Sequence, residues 1–261
     1  MLFARAGYPV YVVDSPGTGR APRDRDTLTN LSQVTQSSSS NWAGWKNGPT
    51  FGTLGFNLPG DPDTTPHQFP MNQMPTDEEG VNQWLGHNMV YRAVGPGVDA
   101  INDPVRDAAF IALFEKIGEP VIWMGWSRGG LLGQRLITQR PEFFKAFAPV
   151  EGCTANLPTP QEWQTFLQTM VTHKIPFLHV NPDYARDTSG VVALGQFLPS
   201  GSRCVLPIDV AAYLRSQGVS ALTVYLPEVG IYGNGHNYMM QNNADAIVEK
   251  VYLPWLKDNV K

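Results

Sequence analysis

Two periods of hydrophobic spacing take turns along this chain, and their order proposes a fold. Short apolar runs fall at residues 8–13 (YPVYVV), 121–124 (VIWM), 143–150 (FFKAFAPV), 175–180 (IPFLHV) and 222–226 (LTVYL). Runs this short, rich in β-branched and aromatic residues and bounded by Gly, Pro, Asn or Asp, read as buried parallel strands. Between them the spacing becomes helical. Asp103 as N-cap with Pro104 at the first helical position opens a helix that Gly118 ends, with Val105, Ala108, Ala109 and Ala112 on one face. Leu131, Leu132, Arg135 and Leu136 keep helical spacing after the second run, and residues 161–172, 208–216 and 244–256 read as further helices. Alternating strands and helices predict an α/β fold with a mostly parallel, doubly wound sheet, whose chemistry gathers at the carboxyl ends of its strands. No repeat or linker interrupts the sequence, so residues 1–261 are expected to form a single domain.

From residue 27 to 97 the periodicity disappears. Four serines at 37–40 are followed by Trp42, Trp45, Phe51, Phe56, Phe69, Trp84 and Tyr91, scattered among Gly, Pro and Asn. An irregular stretch of this length is uncommon inside a compact domain unless it has a function. One reading is a cap inserted over the active site, its aromatic rings lining an apolar pocket. The other is a long excursion that the same rings pin to the body. On the first reading Trp84, with Trp126, is a candidate for the substrate pocket.

Composition narrows the partners. Hydrophobic residues make up 42% and charged residues 16%, the proportions of a folded globular protein. The net charge of −4 and the absence of any Lys/Arg cluster argue against nucleic acid or an anionic membrane as partner. No apolar run approaches the ~20 residues of a membrane span. Residues 1–5 (MLFAR) lack the basic start and long apolar core of a signal peptide. Residues 14–20 (DSPGTGR) superficially suggest a phosphate loop, but the Gly-Lys-Ser/Thr ending is missing and no helix-forming run follows. The two cysteines, Cys153 and Cys204, allow one internal disulfide or two free thiols, and composition does not choose between them.

The chemistry points to residues 125–129, GWSRG. A G-x-S-x-G sequence recurs by chance, so its setting decides. Here a strand precedes it and a helix follows at once, which is the setting of a nucleophilic serine on a sharp turn. Ser127 is then the candidate nucleophile, and Gly125 and Gly129 are expected where side chains would collide as strand and helix close up. The backbone N–H of Arg128 would face a developing oxyanion. The Arg128 side chain is available either to an acidic substrate group or to an ordinary ion pair. A serine hydroxyl needs a base, and the base needs an orienting acid. Of the five histidines, His67 and His87 precede the serine, His173 lies in a helix and His179 in an apolar strand. His236 alone follows the last strand, in a glycine-rich loop, and is the expected base. Two acids remain open: Asp183 after the penultimate strand, and Glu151, which closes an apolar strand where an unpaired charge would be costly.

Four segments carry a resemblance: GYPVYVVDSPGTGRA at 7–21, GWSRGG at 125–130, PVEGC at 149–153 and LPEVGIYGNGHNYMMQ at 226–241. In these the sequence resembles a family of bacterial esterases, with fungal relatives, in the α/β-hydrolase superfamily. The resemblance implies an α/β-hydrolase fold and a Ser-Glu-His triad, which favours Glu151 over Asp183 as the acid. It also implies a disulfide between Cys153 and Cys204, and with it a secreted or periplasmic location. Members of this family have three strands before the one matched at residue 8, and a His-Gly-type loop that supplies a second oxyanion donor. Neither has a counterpart here, and the sequence is therefore expected to be a truncated form that lacks its N-terminal strands.

The expected function is a serine carboxylic-ester hydrolase acting through an acyl-enzyme on a small-molecule ester, with no metal or organic cofactor and with a homodimer as a possible assembly. Other chemistry on the same scaffold, by a lactonase, an amidase or a carbon–carbon hydrolase, is one alternative. A truncated remnant that keeps the triad residues without assembling them is the other.

Overall fold

The computed structural model describes residues 2–16, 73, 77, 79–80, 83, 96–151, 160–182, 210–235 and 237–260. A short helix α1 (Leu2–Arg5) comes first, and a long helix α2 (Pro96–Ile117) leads into the sheet. Strands β1 (Val121–Trp123), β2 (Phe144–Phe147), β3 (Phe177–Asn181) and β4 (Ala221–Tyr225) alternate with helices α3 (Arg128–Gln139), α4 (Pro160–His173) and α5 (Val210–Ser216). The chain closes with α6 (Ala244–Ile247), a π-helical turn (Val248–Tyr252) and α7 (Leu253–Asn259).

All pairings are parallel and the strand order is β1-β2-β3-β4. Strands laid down in sequence with right-handed crossovers put every connecting helix on one face. Side chains from α2, α3, α4 and α5 accordingly form one core with Phe144, Phe147 and Phe177. The opposite face packs Ala146, Leu178, Val180 and Val224 against Ile247, Val251, Trp255 and Leu256. Alternation along β3 explains how one strand serves both: Phe177 points to the first core, Leu178 and Val180 to the second. The expected α/β architecture with a parallel sheet is present. The reversal of strand order that makes a sheet doubly wound does not occur among the described residues.

Two expectations are corrected here. Residues 8–13 form no strand. Val10, Tyr11, Val12 and Val13 are 51%, 60%, 78% and 46% exposed, where a buried strand was predicted. The segment borders a cavity of about 1250 Å³ whose opposite wall includes Ile122, Trp123 and Met124. A strand needs a neighbour about 4.8 Å away to satisfy its backbone, and among the described residues it has none across this gap. The helix predicted to start at Asp103 instead starts at Pro96, inside the range assigned to the cap, and runs through Pro104. Proline there forfeits one backbone hydrogen bond. Asp103 is not a cap but part of an ion-pair cluster, bonded to Arg106 at 2.8 Å and Arg135 at 3.0 Å. The closing helix expected over 244–256 is present and continuous to Asn259, with a π-helical turn inside it. Pro254 has no N–H to give the Lys250 carbonyl, and the Leu253 N–H reaches back to the Val248 carbonyl instead.

The contact between α3 and the sheet depends on a glycine that the sequence pattern did not single out. A Cβ on Gly133 would lie 2.5–2.7 Å from the rings of Trp123 and Phe147. Both rings are held by others: Trp123 meets Phe110 edge-on at 5.2 Å, and Phe147 meets Phe166 at 5.9 Å. Gly133→Ala is therefore expected to destabilise the fold by about 1–3 kcal/mol through overpacking, read as a lower urea midpoint at unchanged m-value.

Candidate active site

Ser127 sits between β1 and α3 as the N-cap residue of α3, with φ 50° and ψ −116°. Among the described residues only Ser127, Glu151 and Lys174 combine a side chain with positive φ. Such a conformation costs about 1–3 kcal/mol and persists only where the surroundings hold it. The turn is held from several sides. Gly129 N–H donates to the Trp126 carbonyl at 2.6 Å, Gly130 N–H to the Ser127 carbonyl at 2.9 Å, and Ser127 N–H to the Val150 carbonyl at 3.3 Å. Trp123 Nε1 donates to the Gly129 carbonyl at 2.9 Å, tying strand to helix across the bend. A side chain on Gly125 would overlap that carbonyl and the Trp123 indole nitrogen, so glycine is required there as expected. The parallel expectation for Gly129 is wrong. A Cβ at Gly129 would meet nothing within 4 Å, because it is the Gly129 carbonyl, not its α-carbon, that faces Gly125.

Arg128 opens α3, so its N–H is one of the four amides whose acceptor must come from outside the helix. Asp107 and Asp103 anchor the same helix from α2. Arg135 binds Asp107 at 2.8 Å and Gln139 Nε2 donates to Asp107 at 2.8 Å, so that the helix behind the serine is fixed at two successive turns.

Glu151 lies beside this turn. Val150 extends β2 by bridging Trp126 on one side and Val180 on the other, and its carbonyl receives the Ser127 N–H. Glu151 follows directly, 3% exposed and at φ 42°. Its charge acts on both Tyr238 and Tyr252. The two phenol oxygens are 2.7 Å apart. Burial, first of all, holds Tyr238 well above the usual phenol value; Tyr252 and the Glu151 charge add to the shift, and the Glu151 N–H opposes it. Tyr252 is raised in the same way by burial and by Glu151, against the hydrogen bond from Tyr238.

His236 itself lies outside the described residues, but both sides of its loop are described. Asn234 and Asn243 exchange amide hydrogen bonds at 2.7 and 3.0 Å, and Asn234 Nδ2 also donates to Gln241 Oε1 at 2.8 Å. Gln241 Oε1 accepts the N–H of Gly235, the residue before His236, at 3.2 Å. Asn243 Nδ2 donates to the Tyr232 carbonyl at 3.1 Å. Gln73, from the stretch read as a cap, joins from outside: its N–H donates to the Gly233 carbonyl at 3.0 Å and its carbonyl accepts the Asn242 N–H at 2.9 Å. Sequence reading overlooked Asn234, Gln241, Asn243 and Gln73. Asn234, Gln241 and Asn243 left a signal, since five amide side chains crowd residues 234–243. Gln73 left none.

Trp126 lines the cavity described above, together with Arg128 and Met124. His179 is 1% exposed and stacks on Phe177 in the core. Asp183, the other candidate acid, lies outside the described residues, as do Cys153, Cys204, Trp84 and most of the stretch 27–97.

With this geometry in place, the chain can be compared with known proteins. Among solved structures it is similar to one described as a novel bacterial esterase, with a TM-score of 0.70. The likeness is one of fold. Sequence identity is 20%, and the match covers 100% of this chain and 73% of the other. No protein-family model matches the sequence, and no curated protein matches it.

Proposed function

We propose that this chain is a serine carboxylic-ester hydrolase that works through an acyl-enzyme, with Ser127 as nucleophile, His236 as base and Glu151 as the acid that orients it. The observation that carries the reading is the pair of strained residues: Ser127 and Glu151, both at positive φ, stand on neighbouring strand ends joined by the Ser127–Val150 hydrogen bond. Strain concentrated at two chemically reactive side chains, with its cost met by the surrounding bonds, is typical of a reaction centre. In this mechanism His236 takes the Ser127 proton as the hydroxyl attacks the ester carbonyl. The Arg128 N–H stabilises the oxyanion, His236 protonates the departing alcohol, and water then releases the acid. Glu151 keeps the imidazole oriented and offsets its positive charge. Trp126 and the aromatic residues of 27–97, Trp84 among them, would shape an apolar substrate pocket. A Cys153–Cys204 disulfide and an oxidising compartment belong to the same reading.

The test is covalent labelling. A fluorophosphonate probe is expected to modify the wild-type chain at Ser127, identified by peptide mass, and to leave Ser127→Ala unmodified. A folded wild-type protein that stays unlabelled would overturn the reading. The open cavity beside β1 gives that outcome a concrete form, a fold that carries the triad residues without assembling them.

A further inference from the structure

We infer that the outer edge of β4 is the contact by which two copies of this chain form a symmetric dimer, their sheets joined by antiparallel pairing about Thr223. β4 (Ala221–Tyr225) is the last strand of the sheet and pairs with β3 alone among the described residues. Phe177 N–H donates to the Ser220 carbonyl at 2.9 Å, so residues 220, 222 and 224 turn their peptide groups to β3 while 221, 223 and 225 turn theirs outward. On that outer side the Ala221 carbonyl accepts Arg215 Nη1 at 2.9 Å. No comparable bond reaches the N–H or carbonyl of Thr223 among the described residues. Open edges are ordinarily guarded by a proline, a lysine, an inward charge or a bulge. β4 carries none of these: its sequence is ALTVY, its register with β3 is unbroken over all five residues, and Leu222 is 40% exposed.

Charge decides what covers this edge. Two basic groups stand at the start of the strand: Arg215, and Lys174, which lies over Gly218 with its Nζ donating to the Gln217 carbonyl at 2.8 Å. An acid stands at the other end, the exposed Glu228 on the 3-10 turn Leu226–Val229. A second copy laid antiparallel sets basic end against acidic end twice over, whereas a parallel one would set like charges together. With the two-fold axis through Thr223, the two Thr223 residues exchange N–H···O bonds, and Leu222 comes opposite the partner's Val224 on one face of the joined sheet. Glu228 then approaches the partner's Lys174. The contact is complementary to itself and uses the same edge in both copies, so assembly stops at two.

The test is sedimentation velocity on the full chain from about 1 to about 200 µM, where a contact of modest area associates. A shift from monomer to dimer is expected across that range. Leu222→Lys puts a charge on the open edge, and Thr223→Pro removes the central N–H without touching a bond to β3; each should weaken the dimer about tenfold or more. Leu222→Lys decides alone should Thr223→Pro not fold, because it changes an exposed side chain. Glu228→Lys and Lys174→Glu should each weaken the dimer about tenfold, and the two together should bring it back to within about threefold of wild type. A wild-type chain still monomeric at about 200 µM overturns the inference. So does a dimer that survives Leu222→Lys, which would put the contact elsewhere, or a charge-reversed double variant that associates no better than the single ones.

Discussion

Ser127→Ala is expected to lower kcat on p-nitrophenyl acetate by about 10⁶-fold with little change in KM, the loss seen when a triad nucleophile is removed from a site that otherwise stays assembled. The expectation is this large because the alanine leaves no atom to form the acyl-enzyme, and the remaining rate must come from water acting at the oxyanion site. The fold should survive. Ser127 makes no side-chain cap bond to α3, and its N–H bond to Val150 is a backbone bond that alanine keeps. Alanine at φ 50° pays the same backbone cost that serine pays now, so the urea midpoint should stay close to wild type. A variant that keeps more than about one part in a thousand of the wild-type kcat would exclude Ser127 as nucleophile, since the residual rate without a triad member is far below that.

The second large effect is expected at Glu151. Glu151→Gln keeps shape and packing in a residue that is 3% exposed, and removes only the charge. For a triad acid that change leaves the geometry intact but no longer holds the right tautomer or offsets the imidazolium, and kcat should fall by about 10⁴-fold. Asp183→Asn serves as the comparison. On the reading proposed here it should change kcat by no more than about twofold, because it removes no member of the triad. Steady-state kinetics on the two variants separates the candidates, and loss of turnover in Asp183→Asn alone would reverse the assignment.

Much of the fold was legible because its signals are local. The runs at 121–124, 143–150, 175–180 and 222–226 became β1 to β4, since a strand buried on both faces must be apolar throughout. The run at 8–13 looks the same on paper and forms no strand. Its composition is right, but strand formation depends on a partner edge, and no pattern within six residues records whether that partner exists. Asp103-Pro104 failed differently. The pair is a good helix start, yet the ion pairs with Arg106 and Arg135 give Asp103 another use, and tertiary contacts carried the helix past the local signal. In the site, the strained turn at Ser127 was readable from glycine spacing. The role of Gly133 was not, because what forbids a side chain there is the Trp123 and Phe147 rings from separate strands. Nor did Tyr238 and Tyr252 stand out, since aromatic residues beside a closing helix look like ordinary core until their hydroxyls are seen to meet.

The position of β1 has a mechanical consequence. Among the described residues it pairs with β2 on one side only, and its other side faces the cavity bordered by residues 8–15. Outer strands loosen before inner ones, so Ser127 is mounted on the less firmly anchored flank of its own platform. Stiffness that a second neighbouring strand would supply must come from behind, through the packing of Trp123 against Phe110 and Phe114 and the grip of Asp103 and Asp107 on Arg135. Here the alignment of Ser127 is a property of α2 as much as of the sheet.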